Sequence, residues 1–348
     1  MTGAAMPDGR APRTIYLIHN DAGEHVRESA AEAAVMEAVE SMERTLTGLG
    51  RTVVRLLLKP PLSAAAGALE ALPAGATVFN LFEGFPEDPA SEVQVGLLLE
   101  RLGLRATGCP PIAMHLGLHK DLCKLLLQAD GIPVPEGVLL RSDADIHLPL
   151  PFPFPAFLKP VANDASHGIA ACNLVRDEAA FRARAGELLK LFPGGVLAEP
   201  FLPGRELNCG VVETPHGAVA LPPSLVDYSE LPEDHPPVLT FAAKWAPGSP
   251  VYEKTPTVCP APVEPELISR VQELALRSYH LLRCRGYARV DMREDVDGHL
   301  RVLELNPNPD ISADAGLAKQ GRALGWDYAT LVRQVVAAIE EGQPWKSP

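Results

Sequence analysis

The residues best equipped for chemistry lie in 287–309, YARVDMREDVDGHLRVLELNPNP. Apolar and polar side chains alternate on both sides of Asp297-Gly298, which predicts two antiparallel strands joined by a two-residue turn. In that register Asp291 faces Glu304 and Arg289 faces Asn306 on one surface. Val290, Met292, Leu303 and Leu305 then point to the opposite, buried surface. Two carboxylates directly opposite each other, about 5 Å apart, repel. A divalent cation between them reverses that sign. Asp291, Glu304 and Asn306 offer only hard oxygen ligands, which suit Mg2+, or Mn2+ in its place, and not Zn2+. Mg2+ held by so few protein groups completes its shell with water and substrate phosphates. The competing reading is a solvated acidic surface. Strict alternation, and the cation Arg289 on the same surface, weigh against it.

A metal site of this kind needs elements that bring further groups to it. Residues 14–18, 51–58 and 77–82 read as strands, with helices over 28–46 and from Ser91, as cap, to Gly103; 105–107 adds a brief strand. This alternation predicts a small parallel sheet covered by helices. Ligands gather beyond the carboxyl ends of such strands, where His19 and Glu83 stand; ordinary loop polarity explains these two as readily. A helix follows over 112–130, then a strand over 156–159 that ends at Lys159. The turn VANDASHGIA, with Ser166 and Gly168, comes next. Backbone N–H groups of a small-residue turn beside an ammonium can cradle phosphate, although Lys-Pro before a loop is common. Strand 196–200 leads into EPFLPGRE, carrying Glu199, Leu202 and Glu206. Residues 228–256, rich in Pro and charge, have the composition of a mobile flap and include Lys244. Helices over 264–283 and 328–341 flank the hairpin.

Composition narrows the class. The 348 residues are enough for two or three domains, and the net charge of −13 opposes nucleic acid or an anionic membrane as partner. The six cysteines are scattered without metal-ligand spacing, as in a reducing compartment. No apolar run reaches membrane-spanning length, and the first residues, MTGAAMPDGRAPR, do not read as a signal peptide. These features lead to the expectation of a cytoplasmic protein.

The order of Lys120, Lys159 with its small-residue turn, EPFLPGRE, Arg-x-Asp and Glu-x-Asn-Pro resembles the ATP-grasp superfamily. Within it, the chain is similar to the D-alanine–D-alanine ligase group from about Val78 onward. The resemblance is strongest in NLFEGF with the run EVQVGLLLERLGLRATGCPPIAMHLGLHKDLCKLLLQADGIPVP, in VLAEPFLPGRE, and in the hairpin. It implies an α/β (α+β) ATP-grasp fold with a Rossmann-like pre-ATP-grasp domain over 1–110. The central subdomain would span 111–198 and the C-terminal one 199–348. It implies an ADP-forming carboxylate–amine ligase that uses ATP and Mg2+ and acts on amino acids or peptides as a homodimer. Lys120 and Lys159 would hold the nucleotide phosphates, and Lys244 would reach the terminal one. Glu199 and the backbone at Leu202 would meet the adenine edge, and Glu206 the ribose. Asp291, Glu304 and Asn306 would hold the metal. Arg289 would stabilise the reacting groups, with Ser166 of the small-residue turn beside them.

The substrate half departs from the group. His19-Asn20-Asp21-Ala22-Gly23-Glu24 replaces a Gly-Gly-x-Ser-x-Glu loop, Ala165-Ser166-His167 replaces consecutive serines, and Pro309-Asp310 replaces Pro-Gly. A carboxylate at Asp310 repels an alanine carboxylate and attracts a cation, so the expected substrates differ from two D-alanines. His19, Glu83 and Asp310 are the expected substrate contacts. A genuine D-alanine–D-alanine ligase, an enzyme that only phosphorylates its substrate and a non-catalytic nucleotide-binding protein are the alternatives.

Overall fold

Alternating strands and amphipathic helices at the start of the chain build a parallel sheet. The structure, a computed structural model, describes residues 13–20, 30–85, 88–162, 168–232, 235–240, 243 and 248–341, the side chains of 30–35 excepted. Strand β1 (Thr14–Asn20) lies between β2 (Thr52–Leu58) and β3 (Thr77–Leu81), and β4 (Arg105–Ala106) extends the far edge, all parallel. Helices α1 (Ala30–Gly48), α2 (Leu62–Glu70) and α3 (Ser91–Arg101) alternate with them. Ile18, Val78, Phe82, Val95 and Leu99 form its core. Two details differ from expectation. Helix α2 has no counterpart in the sequence reading. Ser91 is the first helical residue and not the cap; its hydroxyl bonds the Phe85 N–H and the Asp88 carbonyl.

The division of the chain corrects one expected boundary. Residues up to Thr107 form a unit together with the closing helix (Tyr328–Glu341), and residues 108–327 form the other. The closing helix therefore does not belong with 199–327. It buries Leu331, Val332, Val335, Val336 and Ile339. Its Glu340 carboxylate meets Arg51 at 2.7 Å and Arg13 at 3.4 Å, and Arg105 donates to the Glu340 carbonyl.

The second unit contains two antiparallel sheets. Helices α4 (Pro111–Leu118) and α5 (Lys120–Ala129) precede a sheet of order β5-β8-β6-β7. Its strands are β5 (Val138–Leu140), β6 (Ala156–Pro160), β7 (Leu174–Val175) and β8 (Val196–Pro200), packed on α6 (Glu178–Leu191) through Leu158, Phe181, Leu188 and Val196. The helix expected over 112–130 is thus two helices, broken where His119 leaves helical dihedrals at φ −95°, ψ 87°. The second sheet has β9 (Glu206–Thr214) at its centre, with β10 (Gly217–Ala220) and β11 (Ser224–Val226) on it. After the short helix α7 (Pro250–Glu253), β12 (Thr257–Val258) closes one edge. Helix α8 (Pro265–Leu281) leads to β13 (Tyr287–Glu294) and β14 (Leu300–Asn306), and α9 (Gly316–Ala323) follows. Among the described residues no helix is long and apolar enough to cross a membrane.

Candidate active site

The hairpin of β13 and β14 pairs Asp291 with Glu304 and Arg289 with Asn306, as its alternation predicts. The expected two-residue turn is wrong, however. Residues 295–299 form the loop, closed by the Asp295 N–H on the His299 carbonyl, and a bulge between Asp291 and Met292 shifts the register by one. The bulge falls at Leu303, which is only half-buried, and Val302 takes the buried place expected for Leu303.

Direct partners on neighbouring strands share a face. Strand β9 pairs Asn208 with Asp291, Gly210 with Arg289 and Glu206 with Arg293, and β11 pairs Ser224 with Asn208. One face therefore carries the row Glu304, Asp291, Asn208, Ser224, flanked by the rows Asn306, Arg289, Gly210 and Arg293, Glu206. Gln320 of α9, fully buried, donates to the Asn208 Oδ1 and the Ser224 Oγ and accepts from the Gly210 N–H. Gly210 is favoured there, since a Cβ would press on the end of the Leu317 side chain and lie 2.7 Å from the Gln320 Oε1.

Arg289 grips both oxygens of Asp291, Nε to Oδ1 at 2.7 Å and Nη2 to Oδ2 at 2.8 Å. Burial works against its charge, but Asp291, Glu304 and Asp310 outweigh burial and raise its pKa. The Asn306 Oδ1 accepts from the Asn308 N–H at 2.9 Å. Lys120 reaches Glu304 at 3.6 Å. The break at His119 makes that contact: the Lys120 N–H bonds the Val161 carbonyl, and the end of α4 packs Gly117 so tightly on Pro307 that a Cβ would lie 2.5 Å from the ring.

On β6 and β8, Lys159 and Glu199 meet at 2.7 Å, and Lys124 of α5 contacts the other Glu199 oxygen. All three are buried, at 7%, 3% and 6% exposure respectively. Burial pushes the Lys124 pKa down to about 8, with Glu199 raising it and Lys159 lowering it. Burial opposes the charge of Glu199, yet the two lysines hold its pKa below the usual carboxylate value. Lys159 is lowered by burial and raised by Glu199 and Glu304, for a net rise. The field of Glu304 thus couples the lysine cluster to the hairpin.

Leu202, buried, lies between β8 and β9, and Glu206 opens β9. The Glu206 Oε2 accepts from Arg293 Nη1 at 2.9 Å and from the Tyr228 hydroxyl at 2.8 Å. Asp310 is exposed, and its Oδ1 accepts from the Ser312 N–H and hydroxyl. In the first unit, His19 is buried and Glu83 exposed, and Asn20 ties their segments by accepting the Glu83 N–H at 2.8 Å. Ser166 and Lys244 lie outside the described residues.

The second unit brings together Lys120, Glu304, Asp291, Arg289 and Asn306, and also Lys159 with Glu199. The sequence reading missed Lys124, Arg293, Tyr228 and Gln320. Lys124 was legible: it stands four residues after Lys120, on the same helix face. A second ligand-type cluster, Asp295, Asp297 and His299, sits on the hairpin loop, where Asp295 accepts from the N–H groups of Asp297 and His299 and from Arg301.

The three oxygen-bearing side chains on adjacent rows suit a hard divalent cation, with Lys120 and Arg289 supplying positive charge alongside. A polar face of that kind with a lysine-lined wall can gather and neutralise a polyphosphate beside a carboxylate.

Comparison with known proteins identifies the family. Residues 126–337 match the family model described as D-ala D-ala ligase C-terminus. A D-alanine–D-alanine ligase from Methylobacterium radiotolerans is 31% identical over 320 residues, covering 88% of this chain and 94% of that protein. Among solved structures, the D-alanine–D-alanine ligase from Bacillus anthracis complexed with ATP superposes with a TM-score of 0.70 at 19% identity, over 94% of this chain and 99% of that one. The VanG D-Ala:D-Ser ligase from Enterococcus faecalis gives 0.72 at 16% identity, with the same coverage. The fold is ATP-grasp, and the chain belongs to the D-alanine–D-alanine ligase family, whose members are ATP-dependent carbon–nitrogen ligases acting on small amino-acid substrates.

Proposed function

We propose that this chain joins a carboxylate to an amine on amino-acid or peptide substrates through an acyl phosphate, and that its substrate pair is not two D-alanines. A carboxylate is a poor acyl donor at neutral pH. Transfer of the terminal phosphoryl group of ATP makes it an acyl phosphate and releases ADP; an amine then attacks the acyl carbon and phosphate leaves. The first step brings two anions together, which requires positive charge already in place. Arg289 and Lys120, at Asp291 and Glu304, are that charge, and this pairing is the observation that carries the reading.

The remaining residues take roles consistent with their positions. Lys120 and Lys159 hold phosphates, Glu199 and the Leu202 backbone take the adenine edge, and Glu206 takes the ribose. Asp291, Glu304 and Asn306 would hold Mg2+, which supplies charge neutralisation at the transferring phosphoryl group. Lys244 reaches the terminal phosphate, and Ser166 belongs to the small-residue turn that cradles phosphate beside Lys159. His19, Glu83 and Asp310 contact the amino-acid substrates. Asp310 sits where its charge is felt by Arg289, so it disfavours a second carboxylate and favours a cationic substrate group. The protein works in the cytoplasm as a homodimer formed through its first unit.

Incubation with ATP, Mg2+ and pooled amino acids, followed by phosphate release and product mass, tests this. The expected product is an amide other than D-alanyl-D-alanine, with a basic amino acid among its parts. D-alanyl-D-alanine made as efficiently as any other product would refute the substrate assignment while leaving the ligase reading intact. A phosphorylated substrate that never forms an amide would refute the ligation step.

A further inference from the structure

Arg293 is the one buried guanidinium of the polar face for which the acyl-transfer reading has no use. It is 5% exposed and lies two residues beyond Asp291, directly opposite Glu206. Its guanidinium carbon stands over the Phe201 ring, 5.0 Å from its centre, and over the Tyr228 ring, 5.5 Å from its centre, so both aromatic faces stabilise the charge. Its Nε donates to the Gly204 carbonyl at 3.1 Å and its Nη1 to the Glu206 Oε2 at 2.9 Å. Tyr228 converges on the same oxygen.

The backbone around this cluster is equally constrained. The Gly204 N–H bonds the Glu294 carbonyl, and the Glu294 N–H bonds the Arg205 carbonyl. A Cβ on Gly204 would lie 2.9 Å from the Glu294 carbonyl oxygen. The segment that carries Glu206 is therefore clamped to the end of β13, beside Arg293.

We propose that Arg293, assisted by Tyr228, is the positioning residue that lets Glu206 read the ribose hydroxyls of the nucleotide; this rests on the assignment of Glu206 to the ribose. A glutamate has three rotatable side-chain bonds and loses rotamer freedom when it must meet a diol in one orientation. Two donors on Oε2 fix the plane of the carboxylate before the nucleotide arrives, so the cost of ordering it is met during folding. The guanidinium fork is itself held by two rings and a carbonyl, and a lysine could not be held that way. The arrangement predicts discrimination between nucleotides that differ only in their ribose hydroxyls.

The test is direct binding of ATP, 2′-deoxy-ATP and 3′-deoxy-ATP to the full chain with Mg2+ and no amino acid, by calorimetry, so that turnover plays no part. Wild type is expected to prefer ATP over at least one deoxy form by about tenfold, the scale of a hydrogen bond to a charged group. Arg293→Met should weaken ATP about tenfold while leaving the deoxy form nearly unchanged, so the preference collapses. Arg293→Lys should keep part of it, and Tyr228→Phe should lower it with the fold intact, which keeps the test decisive if Arg293→Met fails to fold. Folded variants that keep the wild-type preference would overturn the proposal and leave Arg293 a structural residue. A wild type that ignores both hydroxyls would instead overturn the ribose assignment of Glu206, and the proposal with it.

Discussion

Exchanging Glu199 for glutamine removes the only anion, among the described residues, in contact with the buried Lys124 and Lys159. Charge counting sets the size of the effect. With Glu199 present, one carboxylate serves two ammonium groups; without it, two buried cations face each other unpaired. Removing one partner of a buried pair costs about 3–5 kcal/mol. Lys124→Met acts in the opposite sense, because it leaves Lys159 and Glu199 as a matched pair. Lys124 has its pKa pushed from 10.5 down to about 8, so holding it charged is unfavourable by about 3 kcal/mol. Its loss should be neutral or stabilising. The double variant should then recover most of what Glu199→Gln loses. The pH dependence has a definite sign. The folded pKa of Lys124 lies below its unfolded value, so between about pH 8 and 10.5 the unfolded chain holds more protons and this group makes stability rise with pH. Urea unfolding without nucleotide, at pH 7 and about pH 9.5, measures both effects. Equal losses for Glu199→Gln and Lys124→Met, or strictly additive ones, would refute the charge count.

Glu304→Gln should abolish turnover while the unfolding free energy from urea titration stays within about 0.5 kcal/mol of wild type, because the side chain is partly exposed; retained activity would remove Glu304 from the metal site. Gly210→Ala forces a methyl against Leu317 and Gln320 and should cost about 1–3 kcal/mol in a urea titration. Glu340→Gln, in the closing helix, deprives Arg51 and Arg13 of their shared anion at a nearly buried position; about 1–3 kcal/mol should be lost, with earlier proteolysis of that helix as the local readout.

Legibility in the sequence followed the range of the interactions. The parallel sheet was readable because each strand and each flanking helix announces its own period. The closing helix was assigned to the wrong unit because its partners, Arg51 and Arg105, lie more than two hundred residues away and leave no local trace. The break at His119 was hidden for a related reason. The stretch 111–129 is continuously compatible with helix, and it is the bond from Lys120 to Val161 and the packing of Gly117 on Pro307 that interrupt it. That interruption turns Lys120 toward Glu304. Arg293 was missed because a basic residue in an alternating strand reads as surface, and only the rings of Phe201 and Tyr228 show why it can be buried.

The hairpin teaches a sharper lesson, since its pairing was right for the wrong reason. From the observed loop, Glu294 faces Leu300. Continued without interruption, that register would put Leu303 opposite Asp291 and turn Glu304 and Asn306 to the buried face. The bulge at Leu303 adds one residue and restores them to the face of Asp291 and Arg289. An assumed turn shorter than the real one and an unseen bulge cancelled. The signal for the bulge was present in the adjacent apolar pair Val302-Leu303, where buried positions change from even numbers, Leu300 and Val302, to odd ones, Leu305 and Pro307. Here the phase change is what puts the second carboxylate, and the asparagine after it, on the face where a cation can join them to the first.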